Sequence, residues 1–239
     1  MGKRLFENSQ PKYGVRIDIN GKYDKVQNTP KEDYIFCTRC EERFARLEHY
    51  FSIKLTSIHN YANEPEKYKI ESPGSNTVLE CLNLPYTALK LFNYSLVWKT
   101  SVSNLYEFLK FKLPPLKEEE LRIYLDSNLT VSHSDLINTL NKPKTDSSFD
   151  TYLFKCIVRN EYSRGIFTAY EFGDGRFGIF LVDFIIFYYI DESKVPADFN
   201  LISNMQQENA LIIMADIQRW KTINSAPLEN IGKNTANNI

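Results

Sequence analysis

From Arg39 to Leu55 the sequence RCEERFARLEHYFSIKL spaces its apolar residues at helical intervals. Phe44, Leu47 and Phe51 fall on one face, with Glu41, Glu42, Arg46 and Glu48 on the other. The pattern predicts an amphipathic helix that starts at Cys40. Apolar residues then crowd between Tyr86 and Lys112, among them Leu89, Phe92, Val97, Leu105 and Phe108, and predict one or two largely buried helices that stop at Pro114 and Pro115. KEEELRIYL from Lys117 restarts a helix with acidic residues in its first turn, where the macrodipole favours them. Ser132 to Leu140 reads as a further short helix, with Ser132 as N-cap and Asp135 three residues on.

Beyond the polar stretch Asn141 to Ser148 the pattern changes to aromatic and β-branched runs, TYLFKCIVRN, GIFTAYEFG and FGIFLVDFIIFYYI, with Gly173-Asp174-Gly175 as a hairpin turn between the last two. ALIIMADI over 210–217 adds another strand. The run from Phe177 to Ile190 is shorter than the roughly 20 residues a membrane-spanning helix needs and carries Asp183, so a buried strand is expected there. Residues 1–34 read as extended segments and turns, 60–76 as an exposed connection, and the tail from Ser225 as disordered. The expected fold class is α+β, with a helical N-terminal half over 1–145, a β-rich half over 146–224 and a disordered tail over 225–239.

Composition narrows the function classes. A chain of 239 residues with 43% hydrophobic content can bury a sizeable core, and a formal charge of -1 leaves no global field to pull it onto nucleic acid or anionic lipid. Nucleic-acid binding would need a local patch, and membrane binding is not expected. The cysteines at 37, 40, 81 and 156 are too few and scattered for a disulfide scaffold, and MGKRLFENSQPKYG has no apolar stretch fit for a signal peptide. A cytoplasmic location is the expectation.

The sharpest local chemistry is Cys37-Thr38-Arg39-Cys40, since two thiolates at this spacing can chelate one zinc from a turn that leads into a helix. A structural site needs four donors and no second CxxC exists; the remaining candidates are His49, His59, Cys81, His133 and Cys156. Three readings stand open: zinc held by Cys37 and Cys40 with His49 as a third candidate ligand, a metal-free helix start, and a redox dithiol. Glu118, Glu119 and Glu120 read as a helix first turn rather than a carboxylate site. Lys90, Lys99, Lys110 and Lys112, interleaved with Tyr94, Trp98 and Tyr106, read as the wet side of a buried helix rather than a nucleic-acid strip. No phosphate loop, dinucleotide fingerprint or nucleophile elbow occurs, and no residue is assigned a catalytic role.

Two blocks carry a likeness. Ile35 to Phe51 resembles the "LLCxxCExRFSKYExYF" block of a poorly characterised bacterial family, and Tyr86 with Lys90 to Ser103 resembles its "YxxFKLFxLSILWRxSVS" block, with Trp98, Ser101 and Ser103 in register. The likeness spans about residues 20 to 128. Longer members look like HNH-endonuclease zinc proteins, in which an upstream CxxC and a "HIIPK"-like segment precede this block. Residues 1–34 hold neither cysteine nor histidine, so those pieces have no counterpart in this sequence. The resemblance therefore implies a degenerate HNH or treble-clef-like CxxC knuckle and a non-catalytic subunit that binds a protein partner, in a bacterial anti-phage defence or nucleic-acid-processing complex. Its alternatives are an active metal-dependent nuclease with zinc as cofactor, and a membrane-acting effector using residues 177–190.

Overall fold

The computed structural model describes residues 14–17, 23–26, 36–105, 108–141, 150–156, 167–181, 183–205 and 208–225. The expected disordered tail lies almost wholly outside them. An antiparallel pair, β1 (Gly14–Ile17) and β2 (Tyr23–Val26), precedes α1 (Thr38–Ile58). There follow β3 (Tyr68–Glu71), β4 (Thr77–Pro85), α2 (Tyr86–Val102), α3 (Pro115–Asn128) and α4 (His133–Leu140). The rest is β5 (Asp150–Cys156), β6 (Phe167–Glu171), β7 (Arg176–Leu181), β8 (Phe184–Tyr189), α5 (Ala197–Met205), β9 (Asn209–Ala215) and a last helix, α6, over 217–225. The fold is α+β.

One seven-stranded sheet, in the order β3-β4-β9-β5-β8-β7-β6, organises the molecule. Its neighbours are antiparallel except β5 and β9, which run parallel with Leu153 opposite Ile212. The sheet takes strands from both sides of residue 145, because β4 pairs with β9 from Thr77 opposite Met214 to Cys81 opposite Ala210.

Strand alternation sends side chains to two cores. On one face Leu79, Leu153, Ile179, Ile186, Tyr188 and Ile212 meet the layer of α1 to α4. On the other Val78, Tyr152, Phe154, Ile185, Phe187 and Ile213 meet Phe199 and Ile202 of α5 and Trp220 of α6. This two-sided burial explains why FGIFLVDFIIFYYI shows no polar alternation. The run is not one strand but two: β7 and β8 pair antiparallel, Leu181 opposite Phe184, around a turn that buries Asp183. No helix among the described residues is long and apolar enough to cross a membrane.

Local signals place the elements. Gly173 and Gly175 both adopt φ of 79°, a left-handed conformation open to glycine, and close the β6–β7 turn. Pro115 starts α3 at its first position, and Ser132 caps α4 by accepting from the Asp135 amide. The expected connection over 60–76 contains β3, an edge strand whose Lys69 and Glu71 pair with each other and discourage further strand addition.

The α1–α2 seam centres on Phe51 and Phe92, both fully buried, whose rings stack at 4.1 Å. Phe92→Ala is expected to lower unfolding free energy by about 3–5 kcal/mol in denaturant titration, whereas Leu116→Ala, on an exposed side chain, should stay within about 0.5 kcal/mol.

Candidate functional site

Helix α1 begins at Thr38, two residues before the expected start at Cys40: the Glu41 amide bonds to the Cys37 carbonyl at 3.0 Å, which makes Cys37 the residue that opens the helix. Cys40 lies one turn on. Their Sγ atoms are 3.3 Å apart, Cys37 exposed and Cys40 half-buried. The Cys40 backbone amide, followed by the Cys40 thiol, holds the Cys37 thiol below the ordinary range. Cys40 is pushed the other way by its bond to Cys37 and by burial. Cys81, in β4, is pushed up to about 12 by burial and stands apart from the pair.

His49 is not brought to the cysteines. It is exposed on α1 nine residues beyond Cys40, about 13 Å along the helix axis at 1.5 Å per residue. His59 ends up against Phe184, with ring centroids 5.5 Å apart, and His133 is exposed at the start of α4. Among the described residues no group of three or more His, Cys, Asp or Glu side chains could hold a metal ion. The described residues thus offer zinc two thiolates, not the four donors of a closed tetrahedral site.

The other residues of the two sequence blocks bind one another. Arg43 on α1 reaches α3, pairing with Asp126 at 2.7 Å and donating from Nε to the Leu129 carbonyl at 2.9 Å. Lys99 on α2 pairs with Glu48 on α1 and lies 5.3 Å from the Phe44 ring centroid. Trp98 stacks on Phe36 and Phe44 at 5.4 and 5.9 Å. Ser101 donates to Glu118 and accepts the Leu113 amide at 3.0 Å, while Lys112 donates to the carbonyls of Ser101 and Ser103. Trp98 therefore ties α2 to α1 and to Phe36 ahead of it, and the serines tie α2 to the segment that follows it and to α3.

The remaining candidates scatter. Glu119 pairs with Arg122 at 2.7 Å and Glu120 with Lys117 at 3.0 Å, each along α3. Of the four lysines read as the wet side of a helix, Lys90 is instead 2% exposed, near the rings of Tyr86, Tyr94 and Tyr124 at 5.8, 5.7 and 6.0 Å. Tyr124 comes from α3, so no periodicity within the α2 sequence announces this burial. Lys110 is exposed; Tyr106 lies outside the described residues.

No family model, no curated protein and no solved structure matches the chain. Two measurements test the site's electrostatics. At pH 7 Cys37 should alkylate before Cys40, and Cys81 only after denaturant is added, as followed by peptide mapping. The carboxyl of Asp126 is held below its usual range, first by its hydrogen bond from Arg43 and then by the Arg43 charge. A lowered folded-state value favours folding above the unfolded value of about 3.9 and loses that contribution as pH falls through the folded value. Asp126→Asn should therefore melt below the unsubstituted protein at pH 7, and the gap should close below about pH 4.

Proposed function

We propose that the chain is a non-catalytic partner-binding subunit, of a bacterial anti-phage defence or nucleic-acid-processing complex, built on a degenerate HNH-like scaffold. The observation that carries this reading is where the polar groups of the two blocks point. Arg43, Glu48, Lys99 and Ser101 spend their hydrogen-bonding capacity on neighbouring helices. A group that acts on substrate keeps a donor or acceptor for the reacting atoms; these hold α1, α2 and α3 together. The setting in defence or nucleic-acid processing rests on the family resemblance, and the partner is a protein.

The buried β7–β8 hairpin leaves its aromatics unable to serve as contact residues. The exposed apolar side chains of α3 suit that role better. Leu116 is 79% and Ile123 52% exposed, two turns apart on one side of the helix.

Purified protein given Mg²⁺, Mn²⁺ or Zn²⁺ should leave DNA and RNA intact; cleavage that disappears on His49→Ala overturns the reading. Once the protein that co-purifies from the native source is identified, Leu116→Asp with Ile123→Asp should weaken its binding at least about tenfold, roughly 1.4 kcal/mol, with the melting temperature unchanged.

A further inference from the structure

The partner-binding role leaves Cys37 and Cys40 unused, and their placement differs from that of two thiols merely packed on a helix. The Sγ atoms sit 3.3 Å apart, so a disulfide of about 2.05 Å needs a closure near 1.2 Å, within reach of side-chain rotation. The two positions are also unequal. Cys37 is exposed at the opening of α1, whereas Cys40 is half-buried one turn inside, its sulfur in contact with that of Cys37. One outward and one sheltered sulfur, already in contact, is the arrangement that lets a first thiol be attacked and a second release it. Cys81, buried in β4, takes no part.

We propose that Cys37 and Cys40 form a reversible thiol–disulfide exchange site that accepts a low-molecular-weight disulfide, independently of the partner-binding reading. The Cys37 thiolate attacks one sulfur of RS–SR; the S–S bond of the reagent breaks, a Cys37–SR mixed disulfide forms, and RS⁻ leaves and takes a proton from water. Cys40 then gives its proton to solvent, and its thiolate attacks Cys37 Sγ and expels the second RS⁻. Two protein thiols are oxidised to one disulfide, and one external disulfide is reduced to two thiols. The bond closes across the first turn of α1, next to Phe36, which stacks on Trp98. Tryptophan emission therefore gives a second readout.

The full-length protein, reduced and freed of reductant, is incubated with glutathione at a series of oxidised-to-reduced ratios, quenched by alkylation and mapped at its four cysteines. The expected product is a Cys37–Cys40 disulfide that reverts when the ratio is reversed, with a parallel change in tryptophan emission. Cys40→Ser should instead accumulate glutathione on Cys37. Cys37→Ser should slow reaction at residue 40 at least about tenfold. Unchanged circular dichroism in both variants excludes misfolding as the cause. The proposal is overturned by a wild-type mixed disulfide that persists without closing, by a pair that stays reduced at every ratio, or by stoichiometric zinc on these cysteines in protein purified without chelator.

Discussion

In β8 every side chain from Phe184 to Tyr189 is buried, three toward one face of the sheet and three toward the other. Neither face can then be left to water, since each large apolar side chain gains about 1.5–3 kcal/mol on full burial. The layers follow from that requirement. Four helices cover one face, and α5 and α6 cover the other. Charged pairs sit at the β3 edge, as Lys69 with Glu71, while Lys155 of the interior strand β5 is buried.

The thicker helical layer meets the sheet mainly through apolar side chains, with Asn93 of α2 donating to Thr151 of β5, and its helices are joined by both ring stacking and polar ties. Phe51 on Phe92 supplies attraction between α1 and α2 but little register, because flat rings slide. Arg43 sets the register of α3: its guanidinium is largely buried and must be bonded in one position, to Asp126 and the Leu129 carbonyl. Lys99 with Glu48, and Ser101 with Glu118, fix the same three helices at other heights. A sequence block kept for these ties would look like a site motif while acting as a frame.

Much of this is legible one element at a time. The spacing of Phe44, Leu47 and Phe51 defines α1, Ser132 marks the start of α4, and Gly173 with Gly175 mark the β6–β7 turn, because each signal is local and chemical. The join between β7 and β8 is not legible, since Leu181, Asp183 and Phe184 bracket it without glycine or proline. Strand β4 is hidden for a related reason: it passes straight into α2 at Pro85, so its apolar residues merge with those of the helix. At the candidate site, the closeness of Cys37 and Cys40 is written in their spacing. What the sequence could not display is that Trp98 stacks over the residue preceding Cys37, or that Tyr124 reaches Lys90, because both contacts join elements distant in the chain.

The pairing of Thr77 with Met214 carries a consequence for how the chain is made. Strand β9 is the wedge between β4 and β5, and of the described strands it is the last in chain order. Until it arrives, β4 and β5 each present an unpaired backbone edge, and the β3–β4 hairpin has no sheet to join. The β4 edge stays unpaired while the residues between Pro85 and Asn209, just over half of the 239, are made, a topology that favours slow closure and dependence on chaperones.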